Sequence, residues 1–314
     1  MPAIETRNLG KSFGGRRACW DISFEVARGE VFGLLGPNGA GKTTTLRMLA
    51  GLLAPDVGEA QVAGERIQAG RAGSARLRGR VGLLTESPGF YDRLTAAENL
   101  RYFGRLHGLT AHEADGRAAR LLSRFALADH AQRPFAELSR GMKQKLAIAR
   151  ALLHQPEVVF LDEPTVGLDP EATREVRATV AQLASEHATL VLCTHHLDEV
   201  ERLCSRAAFI AGRLVAIHAV GAQAGGPRVR IALSAPPSEG QLAIVRALPF
   251  VSSVACDGAS LSLSLAAQGE GVPGAVAALV AAGARIEAVV PVRDVLEEAY
   301  VALLARARAE GLAA

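Results

Sequence analysis

The stretch GPNGAGKTT, Gly36 to Thr44, decides how this chain folds. It matches the pattern GxxxxGK[ST], follows an apolar run VFGLLG (Val31 to Gly36) that reads as a buried strand, and precedes a helix predicted over Thr44 to Leu53 and closed by Pro55. Small residues here let successive backbone N–H groups face the β- and γ-phosphates of a nucleotide. The helix N-terminus adds positive potential and Lys42 a mobile charge. Gly36, Asn38, Gly39, Gly41, Lys42, Thr43 and Thr44 are therefore candidate phosphate-binding residues, and the Thr43 hydroxyl is placed to ligate Mg²⁺. The strand before the loop and the helix after it argue against an incidental glycine-rich turn.

Working outward, Ile4 to Glu30 alternates apolar and polar residues around the turn signals Gly14-Gly15 and Arg28-Gly29, which predicts antiparallel strands. Further apolar strand cores are Val81 to Leu84, Val158 to Leu161 and Leu190 to Cys193, with helices predicted over Ala96 to Leu106, Ala111 to Phe125 and Gly141 to Leu153. Alternating strands and helices predict a parallel α/β core with a helical insertion. Asp162-Glu163-Pro164 ends one of those strands. A carboxylate at the end of a buried strand can hold Mg²⁺ through water, and the next, Glu163, can polarise an attacking water. These two motifs specify a P-loop nucleotidase without saying which.

LSRGMKQKLAIARALL, Leu138 to Leu153, narrows the choice. It resembles the LSGGQ signature of the ABC ATPase superfamily, with Arg140 and Met142 as departures, and Ser139 precedes Asp162 by 23 residues. The resemblance implies that Ser139 and Gly141 bind the γ-phosphate held by an opposite subunit, in a homodimer formed through the nucleotide domains. It also places Phe13 where the family stacks an aromatic on adenine, although a lone Phe otherwise reads as core. GLDP, Gly167 to Pro170, resembles the loop that crosses the dimer interface and puts Asp169 there. His195 in CTHHLDEV resembles the switch histidine that contacts the γ-phosphate, while His196 reads as a solvated helix-start residue. Glu86 stands where the family has Gln; it is expected as a third metal ligand beside Thr43 and Asp162, with an added charge, the alternative being a solvated loop glutamate that only contacts a membrane partner. The implied fold is a P-loop, RecA-like ABC ATPase domain with an antiparallel β subdomain, covering 1–220, and the implied cofactors are ATP and Mg²⁺.

Composition shifts near Ala219 to Pro227, where small residues cluster as in a linker. Beyond it a second, α+β domain over 228–314 is predicted: strand Arg228 to Ser234, helix Ser238 to Leu248, strands Val251 to Cys256 and Ser260 to Ala266, helix Val272 to Ala282 and strand Arg285 to Val290. That β-α-β-β-α-β order is the ferredoxin-like pattern. A last helix is predicted over Val292 to Ala309, with Leu296, Tyr300, Leu303 and Leu304 packing within the small domain or against a dimer mate.

With 49% hydrophobic and 21% charged residues and a net charge of +3, the composition is that of a globular protein and makes no demand for nucleic acid, which is not expected as a partner. Cys19, Cys193, Cys204 and Cys256 form no CxxC pair, which points away from zinc or a disulfide framework and toward a reducing cytoplasm. MPAIETRNLG lacks the apolar core of a signal peptide, and Val272 to Ala284 is shorter than the roughly 20 residues a span needs. Membrane work is therefore expected through a partner, with the chain peripheral at the inner face of the cell membrane. SPGFYDRLTAAENL, THHLDEVERLC and DVLEEAYVALL resemble the ATPase subunits of bacterial exporters of drugs, antibiotics and lipid-linked glycans. In those systems a separately encoded permease docks near the position of Glu86 to Tyr91. Two rival readings stay open at this point: a soluble ABC ATPase acting on ribosomes or DNA, and a regulator that only binds nucleotide.

Overall fold

The computed structural model describes residues 1–71, 73–85, 89–220, 228–266, 271–292 and 300. The chain divides into two compact units, Met1–Gly221 joined by Tyr300–Ala314, and Ala222–Ala299.

The first unit begins with β1 (Ile4–Phe13), which turns at Gly14 and Gly15 into β2 (Arg16–Ile22); the short β3 (Glu25–Val26) returns to pair with β1. The predicted antiparallel strands are thus present. β4 (Val31–Leu35), five residues all buried, leads through the glycine-rich loop into α1 (Lys42–Leu49). That helix starts earlier and stops sooner than predicted: Ala50 is its C-cap and Gly51 follows at φ +72°, a left-handed step that ends a helix. Next come β5 (Val57–Val62), β6 (Glu65–Gln68), α2 (Ala75–Arg78) and β7 (Val81–Leu84).

The helical insertion contains α3 (Ala96–Leu106), α4 (Ala111–Arg124) and α5 (Arg140–Leu152). Thr95 with Glu98, and Thr110 with Glu113, form reciprocal capping boxes that set where α3 and α4 begin. β8 (Val158–Asp162), α6 (Pro170–Ser185), β9 (Thr189–Thr194), α7 (Leu197–Leu203), β10 (Arg206–Ala211) and β11 (Arg213–Ala219) complete the unit.

Among the described residues these strands form one eleven-stranded sheet, ordered β6-β5-β1-β2-β11-β10-β4-β9-β8-β7 with β3 paired to β1. The run β10-β4-β9-β8-β7 is parallel, and its strands are continuous apolar runs because helices cover both faces. Register matters most here. Leu35 pairs with Thr194 and Asp162 with Cys193, so the carboxyl ends of β4, β8 and β9 lie level and the residues after them meet. In open parallel sheets that edge is where ligands bind.

In the second unit, β12 (Arg228–Leu233), α8 (Glu239–Arg246), β13 (Val251–Asp257), β14 (Ser260–Leu265), α9 (Gly271–Ala281) and β15 (Ile286–Val292) follow the predicted order. The sheet runs β13-β14-β12-β15 with every neighbouring pair antiparallel, the ferredoxin-like arrangement. β15 extends to Val292, where the last helix was expected to start. Leu296, Leu303 and Leu304 lie outside the described residues. Tyr300, expected to pack within the small domain or against a dimer mate, has its ring centroid 5.8 Å from that of Phe209 on β10 and groups with the first unit.

Candidate active site

Two glycines show why the loop after β4 has its sequence. A Cβ on Gly36 would sit 2.1 Å from the Ile210 carbonyl oxygen, so β10 leaves no room for a side chain. Gly41 adopts φ +93°, and a Cβ there would meet the Ala18 carbonyl oxygen at 2.5 Å. The loop that results turns directly into α1. Lys42, only 5% exposed, donates from Nζ to the carbonyls of Gly36 (2.7 Å) and Pro37 (3.1 Å) and lies 3.7 Å from Glu163 Oε1. One residue on, the Thr43 hydroxyl donates to Asp162 Oδ1 at 3.1 Å.

Asp162 is 4% exposed at the last position of β8. Burial pushes its carboxyl above the usual range, the Thr43 hydroxyl pulls it down, and the neighbouring Glu163 charge pushes it up again. Glu163 itself takes φ +48°, an unusual conformation for a residue with a side chain, held by its N–H donating to Cys193 O at 2.9 Å. This turn points its carboxylate across the sheet edge to His195, whose Nδ1 is 3.0 Å from both Glu163 oxygens. Asn38, Gly39, Gly41, Lys42, Thr43, Thr44, Glu163 and His195 all line one cavity of about 360 Å³. Gly36 joins through Lys42, and Asp162 through Thr43.

The other expected residues stand apart. Phe13, 51% exposed, ends β1 with Lys11 Nζ 5.8 Å from its ring centroid; it does not line the cavity, although Ala18 on the partner strand does. The structure thus corrects the alternative that Phe13 is a core residue. Ser139, Gly141 and Asp169 form a second group. Ser139 caps α5 by accepting from Met142 N at 3.3 Å, and Asp169 caps α6 by accepting from Glu171 N (3.0 Å) and Ala172 N (2.8 Å). A Cβ on Gly141 would lie 2.8 Å from that of Ala172, which is how the two helix starts pack side by side. The Arg140 guanidinium, a departure from the signature, donates to the Gly167 carbonyl and ties the two loops together. His196 caps α7 without a side-chain hydrogen bond and tilts against His195, ring centroids 4.0 Å apart. Glu86 lies outside the described residues.

Sequence reasoning missed Ala18 and Val166 in the cavity wall. The Gly41 contact with Ala18 is a through-space relation between β2 and the loop, with no local pattern to announce it.

A family model described as ABC transporter matches residues 19–166. The daunorubicin resistance ATP-binding protein DrrA3 of Streptomyces coeruleorubidus is 39% identical over 307 residues, spanning 96% of this chain and 95% of that protein. The chain belongs to the ABC transporter family. The linearmycin resistance ATP-binding protein LnrL of Bacillus subtilis is 35% identical, over 84% of this chain and 85% of its own. A solved ATP-binding subunit of an ABC transporter superposes with a TM-score of 0.61 at 32% identity, covering 69% of this chain and 90% of that one. As a member of this family the chain is an ATPase that uses ATP and Mg²⁺ to drive transport. Its residues fit those ligands. The Thr43 hydroxyl and Asp162 carboxylate are hard oxygen donors already in contact, beside a loop that only glycine can form at Gly36 and Gly41. Among the described residues no helix is long and apolar enough to cross a membrane.

Proposed function

We propose that the chain is the ATP-hydrolysing subunit of an exporter whose membrane-spanning permease is a separate polypeptide, and that it works as a homodimer on the cytoplasmic face of that permease. One observation carries the chemistry: Lys42, Glu163 and His195 converge in one cavity at the ends of three adjacent strands. Lys42 and the loop amides hold the substrate's phosphates. Glu163 orients the attacking water and takes its proton as the new oxygen–phosphorus bond forms and the bond to the leaving ADP oxygen breaks. His195 holds the Glu163 carboxylate in place and contacts the γ-phosphate. Bound to Thr43 and Asp162, Mg²⁺ supplies charge neutralisation at the phosphates; Glu86 is assigned to the metal side on the resemblance alone.

Ser139, Gly141 and Asp169 do not line this cavity, and Ser139 and Asp169 are exposed at helix starts. A second copy placed head to tail would present them to the γ-phosphate and complete each site. A groove of about 310 Å³ beside the helical insertion, with Leu83, Phe103, Arg150 and His154 in its wall, suits a permease helix. Export and the class of cargo rest on the near full-length match to DrrA3 and the match to LnrL, both named as resistance proteins. The test is purification of the tagged chain from membranes of its own host, followed by identification of what comes with it. The expected companion is one integral membrane protein family with several spans; ribosomal proteins in its place would overturn the transport reading.

A further inference from the structure

Glu199, on α7, is a fully buried carboxylate to which the chemistry above gives no role. A carboxylate removed from water must be held by hydrogen bonds or opposite charge. Here the Thr165 hydroxyl donates to its Oε1, and Arg177 on α6 approaches the same oxygen with Nε and Nη2, each at 3.4 Å. Arg177 is in turn held by Asp198 at 2.8 Å. Glu199 Oε2 has no hydrogen-bond partner among the described residues, so all the holding contacts converge on one oxygen.

The placement of these groups matters more than their burial. Thr165 lies two residues after Glu163, and Glu199 four residues after His195. The loop that carries Glu163 is therefore joined twice to the segment running from His195 into α7. At the front the Glu163 carboxylate meets the His195 imidazole at 3.0 Å, and behind them Thr165 meets Glu199. Glu163 sits in a left-handed backbone conformation that its surroundings must enforce.

We infer that Glu199 is a positioning residue: through Thr165 and Arg177 it fixes the loop carrying Glu163 against the loop carrying His195. This rests on the roles given above to Glu163 and His195. A residue that only stabilised the fold would change folding and nucleotide affinity together. A positioning residue changes the rate of the step while ATP still binds, because small misplacements of reacting groups are costly in rate.

The experiment uses the full chain and measures kcat, KM for MgATP and equilibrium ATP binding for Thr165→Val, Thr165→Ser, Glu199→Gln and Glu163→Gln. Thr165→Val keeps the side chain's shape and removes the hydroxyl. It is expected to lower kcat about 10-fold with KM and ATP affinity held within about twofold, a misplacement loss smaller than losing the acid–base group itself. Thr165→Ser should restore most of the rate. Glu199→Gln approaches the same bond from its other end, keeping an acceptor for Thr165 and losing the charge that holds Arg177; a several-fold fall in kcat with unchanged affinity is expected. If Thr165→Val turns over like wild type while Glu163→Gln is inactive, the inference fails alone. It also fails if the Val variant loses affinity in step with rate and Ser does not rescue it. Wild-type turnover by Glu163→Gln would overturn it together with the roles on which it rests.

Discussion

At the carboxyl ends of β4, β8 and β9 the first unit buries Lys42, Asp162 and Glu199, whereas the second unit's sheet buries Val229, Ile231, Leu261, Leu263 and Leu265 against α8 and α9. Among the described residues, the only buried polar side chain in that second unit is Ser264, which accepts from the Ser253 hydroxyl at 2.8 Å. Both units cover a sheet with helices. The difference lies in what the strand ends carry. Charges are expensive to bury, and a fold keeps them where each has a partner and a task. Among the described residues the apolar second core holds no charged or titratable side chain, so the buried charges lie in the first unit.

The largest way to break that contrast is to damage the scaffold and look for an effect on chemistry. Leu263→Ala opens a cavity in the second core, where a Leu-to-Ala change costs about 2–5 kcal/mol. Thermal unfolding of the full chain should show the transition of this unit moving down by several degrees or more. ATP binding measured below that transition should be unchanged. A loss of ATP affinity in the folded variant would show that the second core and the nucleotide site are energetically coupled.

A smaller effect sharpens the contrast from inside the first unit. His154 stacks flat on His107, ring centroids 3.9 Å apart, and its Nε2 donates to Val81 O at 2.9 Å while Nδ1 has no partner among the described residues. Burial pushes its pKa down to about 4, with the His107 and Arg117 charges pushing the same way and the Val81 carbonyl opposing them. Above the unfolded value of roughly 6.5 the ring is neutral in both states and contributes no pH dependence. Between about 6.5 and 4 the unfolded chain takes up a proton that the folded one refuses, so stability is lost as pH falls, by up to about 3 kcal/mol. Denaturant unfolding at pH 7 and pH 4.5 should show wild type losing about 1–3 kcal/mol more than His154→Gln over that interval. Parallel pH dependences would remove His154 as the source.

What could be read in advance follows from how far apart the relevant residues lie in sequence. The phosphate loop and the paired carboxylates at the end of β8 are each specified within a few consecutive residues, and each lies at the strand end or helix start that its local pattern predicts. The six elements of the second unit were legible for the same reason: apolar alternation and turn residues are local. β5 and β6 were not, because VGEAQV and ERIQ are short, half-polar strands that exist by pairing with β1 and with each other. Thr165, Arg177 and Glu199 were missed because each alone reads as an ordinary turn or helix-surface residue; their burial exists only once α6 and α7 pack. The contact of Tyr300 with Phe209 was not legible because a helical apolar stripe states that it packs, not against what.

The central claim is that one chain supplies the cavity with Glu163 while a second copy completes it with Ser139 and Gly141. Glu163→Gln tests it most directly, measured for ATP turnover and for sedimentation with ATP and Mg²⁺ over a range of protein concentrations. The account predicts turnover at least about 10²-fold below wild type, the scale of a positioned acid–base group, with ATP binding retained and the chain accumulating as an ATP-bound dimer. Near-wild-type turnover, or an ATP-saturated chain that sediments as a monomer at every concentration, would contradict it.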